Sequence, residues 1–219
     1  GHQFQKNSCL WQINSQNYAH RTMLKNDIWI NARAKEGMLS PFQPKLVRHL
    51  DPQNKKEAVL SYGCSSYGYD LRLSSNEFLI FRHVPGTVMN PKKFNPDNLE
   101  KTKLQKDKDG DFFILPAHSY GLGVALERMK VPENITVICL GKSTYARLGI
   151  IVNTTPAEAG WEGHLTLEFS NSSGADCRIY ANEGICQILF FEGDPCATTY
   201  NDRQGKYQNQ PEKVTLAKI

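Results

Sequence analysis

From residue 57 onward the chain is a succession of short runs rich in β-branched and aromatic residues: "EAVLSYG", "EFLIF", "FFILP", "GLGVAL", "ITVICL", "GIIVN", "HLTLEF", "CRIYA" and "CQILFF". Between them stand turn formers: "SSN", "VPGT", "DKDGD", "PEN", "NSSG", "NEG" and "EGDP". The runs are many, short and closely spaced. They predict a mainly β protein, a barrel or sandwich. The one clear exception is "LKNDIWINARAKEGM", residues 24–38, where Asn26 or Asp27 can cap a helix and Gly37 can end it. No internal repeat is present.

A chain of 219 residues suits one domain, or one domain with an appended arm, and is long enough to bury a sizeable core. The net charge of +4 is too weak to argue for nucleic acid, yet it suits a local site for an anionic small molecule. No apolar run approaches the ~18 residues of a membrane span, so no membrane is expected. The six cysteines (Cys9, Cys64, Cys139, Cys177, Cys186, Cys196) are scattered without a CxxC pair and read as reduced thiols of a cytoplasmic protein. Residues 1–22 lack the apolar core of a signal peptide. Gly1-His2 is compatible with a tag scar and Met23 with a native start, so residues 1–22 are treated as an extension of open origin before a domain at 23–219. Alternating signs make "KTKLQKDKDGD", residues 101–111, a solvated loop rather than a basic patch. The polar tail from about residue 202 to 219 is expected to be disordered or to form an arm that folds over a ligand.

"GKST", residues 141–144, reads like the end of a phosphate-binding P-loop. That loop needs a glycine five residues before the Gly-Lys pair, and here the position is Thr136, inside a predicted strand. A strand cannot also be the wrapping loop, so the P-loop reading fails. What remains is a strand, a glycine, and then Lys142, Ser143, Thr144 and Arg147. If "STYAR" makes a helical turn, Ser143 and Arg147 share a face, and the cations and hydroxyls offer a grip for a polyphosphate. A plain solvated turn is the competing reading.

In the predicted strand at 164–171, Leu165, Leu167 and Phe169 point one way and His164, Thr166, Glu168 and Ser170 the other. Glutamate is depleted in strands, so Glu168 is conspicuous. On an outer face it means little; lining a pocket, it would be raised toward the range of a general acid/base. The lone His118 and His164 read as structural groups, and Glu158 as a solvated turn residue. No GxSxG elbow is present for a serine hydrolase.

Three segments, "SYGCSSYGYDLRL", "CLGKSTYARLGIIVNTTPAEAGWEGHLTLEFSNSS" and "NEGICQILFF" with "YNDRQGKYQNQ", closely resemble the dCTP deaminase family, in order and with matching spacing from about Met23 to the C-terminus. The resemblance implies the dUTPase-like distorted β-barrel or jelly roll with a few short helices, assembled as a homotrimer with sites between subunits. It implies hydrolysis of dCTP to dUTP and ammonia, in pyrimidine deoxynucleotide supply, with dTTP a candidate inhibitor. Glu168 would activate water at C4 of cytosine, with Ser143 and Arg147 assisting. Lys142, Ser143, Thr144, Tyr145, Ala146 and Arg147 would line the nucleotide, Thr166 and Leu167 would present backbone groups to the base, and Gln187, Tyr200, Lys206 and Gln210 would complete the site. Mg2+ would ride on the triphosphate, with no metal held by the protein itself.

The residues agree on one point of chemistry. Zinc deaminases need an H-x-E and a P-C-x-x-C to hold the metal that activates water. This chain has neither, so no zinc is expected and the work falls to a carboxylate. Some members of the family carry a longer H-x-x-D-P-G link before Gly-Trp where this chain has "TTPAEAGW", and Glu158 falls where they have an aspartate. That departure favours release of dUTP over a bifunctional enzyme that continues to dUMP. A non-catalytic nucleotide-sensing trimer is a further alternative, disfavoured by the presence of Glu168, Ser143 and Arg147.

Overall fold

A computed structural model describes residues 23–53 and 55–218; the N-terminal extension expected at 1–22 lies outside the described residues. In chain order the elements are α1 (Asp27–Lys35), β1 (Leu39–Ser40), β2 (Val47–Asp51), β3 (Lys56–Cys64), β4 (Tyr69–Phe81), β5 (Leu99–Lys101), β6 (Gln105–Asp107), β7 (Gly110–Leu115), β8 (Tyr120–Lys130), β9 (Ile135–Gly141), α2 (Ser143–Ala146), β10 (Ile150–Asn153), β11 (Glu162–Asn171), β12 (Cys177–Tyr180) and β13 (Gly184–Glu192).

The helix is shorter than its sequence signal. Asn26 takes the N-cap, accepting from Trp29 N at 3.1 Å, and Gly37 adopts φ +91 just past the end. Leu24 and Lys25 are thereby released to pair with the end of β13, with Lys25 N donating to Phe190 O at 2.9 Å.

The main sheet runs β10-β11-β8-β4-β13-β9, with β1, β3 and β5 attached beside it and β2 paired to β3. Every pairing in it is antiparallel. β9 and β10 lie against each other, so the path curls back on itself as a distorted barrel. A smaller sheet, β12-β7-β6, packs its apolar face on the same core. Phe78 joins the two, with its ring 5.3 Å from Phe113 of β7 and 5.1 Å from Phe169 of β11. Burying side chains of this size contributes about 2–3 kcal/mol each, and offset aromatic pairs add to that.

The charged run at 101–111 proves to be half of an exposed hairpin. β6 has every residue exposed, and Arg178 donates to Asp107 at 2.6 Å across it. Among the described residues the cysteines are free thiols, and no helix is long and apolar enough to cross a membrane.

Candidate functional site on the barrel wall

β11 alternates as expected: Leu165, Leu167 and Phe169 are buried, while Glu168 and Ser170 are exposed on the outer wall. Glu168 stands opposite Asn153 of β10 and Leu122 of β8. No group among the described residues pairs with its carboxylate. The neighbouring protein desolvates that carboxyl and holds it above its ordinary value, which makes it a better proton acceptor near neutrality.

The "GKSTYAR" segment forms the predicted helical turn. Ala146 N donates to Lys142 O at 2.9 Å and Arg147 N to Ser143 O at 3.1 Å. Tyr145 pins the turn to the core: it is 2% exposed, and its hydroxyl accepts from Tyr180 N at 2.9 Å. Burial raises its phenol far above the ordinary range. Its side chain therefore anchors the wall and cannot reach a ligand outside it. Ser143, Thr144, Ala146 and Arg147 are exposed, and no described residue pairs with the Arg147 guanidinium.

Lys142 behaves differently from its neighbours. Its ammonium donates to Asp70 Oδ2 at 2.6 Å and to Ser61 Oγ at 2.8 Å. Gln187, facing Asp70 across the β13–β4 ladder, donates its amide to Asp70 Oδ1 at 2.9 Å and to Ser65 Oγ at 3.3 Å. One carboxylate thus holds both predicted ligand-wall residues.

The C-terminal segment is an ordered arm. Trp161 Nε1 donates to Tyr207 O at 2.8 Å, Asn209 N to Glu162 O at 2.8 Å and His164 N to Gln210 O at 3.0 Å. The arm runs so close to β11 that a Cβ on Gly163, whose φ is +143, would sit 2.6 Å from Gln210 N. Only glycine fits there. Farther along, Thr166 Oγ1 donates to Gln210 Oε1 at 3.4 Å and accepts from Thr215 N at 3.0 Å. Ser74 donates to Glu212 at 2.6 Å, and Val214 N donates to Glu77 at 2.8 Å. Tyr200 accepts from Tyr207 N at 2.8 Å and so shapes the arm's first bend, while Lys206 is exposed. Glu158 is exposed, as expected of a solvated turn residue, and pairs at the surface with Arg203 at the arm's base. His164 is the expected structural histidine: Ala125 O lies 3.1 Å from Nδ1, and a carbonyl can only accept, so Nδ1 carries the proton. His118 is exposed.

Within one chain these groups come from different elements. Glu168, Thr166 and the arm lie on β11, whereas Ser143, Arg147, Lys142 and Gln187 lie about the β9–β13 edge. Neither Ser143 nor Arg147 hydrogen-bonds to Glu168 among the described residues. Around the seam between β9 and β10 stand exposed apolar side chains: Ile138 (37%), Leu140 (48%), Leu148 (56%) and Ile151 (57%). Two clefts of about 430 and 460 Å³ lie elsewhere, one along residues 82–100 and the other at the arm's base, and neither includes Glu168, Ser143 or Arg147.

Asp70, Trp161 and Gly163 escaped the sequence reading as site residues. Asp70 carried the same signal as Glu168, an acidic residue inside an apolar strand.

Barrel and wall define a class: an antiparallel β-barrel with Glu168 and Ser143 exposed on its outer wall and a C-terminal arm laid along β11. The model of the dCTP deaminase-like family matches residues 24–193. The chain is 50% identical over 198 residues to a dCTP deaminase of Aromatoleum aromaticum, covering 90% of this chain and 99% of that one. It is 50% identical over 189 residues to a dCTP deaminase of Rickettsia typhi, covering 85% and 95%. The solved structure of 2'-deoxycytidine 5'-triphosphate deaminase from Agrobacterium tumefaciens shares the fold, with TM-score 0.52 and 19% identity, over 78% of this chain and 48% of that one. The chain belongs to the dCTP deaminase-like family.

Proposed function

We propose that the protein hydrolyses dCTP to dUTP and ammonia, with Glu168 as the group that activates water. The observation that carries this reading is the unpaired, desolvated carboxylate of Glu168 on the outer wall of a barrel half identical to dCTP deaminases. Ionised, Glu168 takes a proton from water; the hydroxide adds to C4 of cytosine and the C4=N3 pair moves to N3. The carboxyl delivers its proton to the amine, ammonia leaves as C4=N3 re-forms, and the C4 hydroxyl proton passes to N3 to give the uracil carbonyl. Arg147, exposed and without an internal partner, is free to hold negative charge, and Ser143 stands on the same turn as a hydroxyl donor.

Thr144, Ala146 and the backbone of the turn line the nucleotide with Ser143 and Arg147. Thr166 and Leu167 offer backbone groups beside Glu168; Tyr200, Lys206 and Gln210 of the arm close the site. Among the described residues no cluster of three or more His, Cys, Asp or Glu is placed to hold a metal. Mg2+ rides on the substrate's triphosphate oxygens, where a hard divalent ion finds oxygen ligands.

The active assembly is a homotrimer whose sites form between subunits. The exposed apolar seam supports this. The place of action is the cytoplasm, with the product feeding deoxyuridine nucleotides toward thymidylate and dTTP a candidate inhibitor. The short "TTPAEAGW" link before the wall strand favours dUTP as the end product. Incubation with dCTP and Mg2+, followed by anion-exchange chromatography, tests the reading. Equimolar dUTP and ammonia are expected; dUMP with pyrophosphate would mark a bifunctional enzyme, and unchanged dCTP a sensor.

A further inference from the structure

Asp70 has no place in the chemistry above, yet it is the most heavily engaged carboxylate beside the candidate site. Its side chain is 8% exposed, and its two oxygens go to two different elements. Oδ2 accepts from the Lys142 ammonium at 2.6 Å and Oδ1 from the Gln187 amide at 2.9 Å. Lys142 is the N-cap residue of α2, the position immediately before Ser143, and its own side chain makes no capping bond. Gln187 lies opposite Leu140 on β9, two residues before Lys142. Asp70 on β4 therefore ties the entry of the α2 turn and the adjoining strand β13 to one rigid point.

Two consequences follow from the chemistry of these groups. A carboxylate only accepts, so the Gln187 atom against Asp70 must be the NH2. The Gln187 carbonyl oxygen, which has no partner among the described residues, is then the group left to meet a ligand, and it can only accept a hydrogen bond. The Lys142 charge is likewise spent on Asp70, which leaves Arg147 as the unpaired cation of the turn.

We propose that Asp70 is a positioning residue of the nucleotide site: it holds Lys142 and so the Ser143 turn, and it orients Gln187 so that a hydrogen-bond acceptor faces the substrate. The inference rests on the reading of this wall as the dCTP site. It differs from a catalytic role, because Asp70 touches neither the reacting atoms nor the water.

The test is steady-state kinetics of ammonia release from dCTP by the full-length wild type, Asp70→Asn, Lys142→Met and the double variant, each with a thermal melt. Wild-type turnover comes first: if the wild type releases no ammonia, the functional reading fails. With an active wild type, Asp70→Asn loses the charge that holds Lys142. The expected drop in kcat/KM is about 10- to 100-fold, the scale of a lost charge-assisted hydrogen bond. The loss is expected mainly in KM, with kcat within about fivefold, because water activation stays with Glu168. Acting through Lys142, the two substitutions should couple, and the double variant should be no worse than the weaker single within about twofold. Kinetics of Asp70→Asn within twofold of wild type, a loss confined to kcat, or multiplied losses in the double variant would overturn the proposal. Should Asp70→Asn fail to fold, Lys142→Met, which keeps the Asp70–Gln187 bond, carries the test. A raised KM at an unchanged melting temperature supports the proposal, and wild-type kinetics refute it.

Discussion

Thr166 accepts a hydrogen bond from the backbone of Thr215 at 3.0 Å, so the C-terminal arm sits on the outer wall of β11 one strand repeat from Glu168. Glu168 itself is left uncovered by any hydrogen bond. Such an arrangement joins the arm to the site without making it part of the barrel core. Removing residues 206–219 should leave the far-ultraviolet circular dichroism of the barrel intact. The same deletion should lower kcat/KM for dCTP by about tenfold or more, the loss that the proposed closure of the arm over the substrate requires. Unchanged kinetics would free the arm of any part in binding.

The seam side chains test the assembly. Ile151 is 57% exposed on β10, in register with Ser170 and two residues from Asn153, the partner of Glu168. Ile151→Asp places a charge in what should be a dry subunit contact. Light scattering after gel filtration should show loss of the trimer, and activity should fall about 100-fold or more with it, because an incomplete site lacks its oriented groups. A stable, active trimer carrying this substitution would move the interface elsewhere.

Glu127 supplies a stability test. It is 1% exposed and binds Arg72 twice, at 2.8 Å to Nε and 2.9 Å to the backbone N. The Arg72 guanidinium also lies 4.7 Å from the centre of the Tyr62 ring. Glu127→Ala leaves that cation stranded against the core, and urea denaturation should report a loss of about 3–5 kcal/mol. A loss under 1 kcal/mol would show that Arg72 readily finds water.

The strands from "EAVLSYG" to "CQILFF" were legible because each presents one apolar face, and so were the turn at Ser143 and the outward stance of Glu168. β6 was not, since Gln105, Lys106 and Asp107 are all exposed and carry no apolar alternation. The first half of β4 was hidden for the opposite reason. Asp70, Arg72 and Ser74 form a polar face that is covered by partners distant in sequence: Lys142, Glu127 and Glu212. Local pattern cannot announce such partners. The tail read as disorder or arm because its anchors, Trp161, Gly163 and Thr166, belong to another strand, and only their juxtaposition decides between the two.

The raised Glu168 carboxyl has a signed pH dependence. As the base it must be ionised, so the acid limb of the kcat/KM profile should fall at a pH above the ordinary glutamate value. For stability the sign is opposite. A carboxyl held above its unfolded value favours folding while protonated and loses that advantage as pH rises through the folded value. Glu168→Gln should therefore melt at or above the wild type at pH 7, and the difference should shrink on acidification below the ordinary glutamate range. A variant that melts well below the wild type at pH 7 would contradict the desolvated, unpaired state of this carboxyl.

The most direct test pairs two readings on one variant: ammonia release from dCTP, and dCTP binding by calorimetry, for Glu168→Gln. Loss of the group that moves protons should cut kcat at least about 100-fold, while affinity stays within a few-fold of wild type. Turnover by Glu168→Gln within tenfold of the wild type would show that another group activates the water.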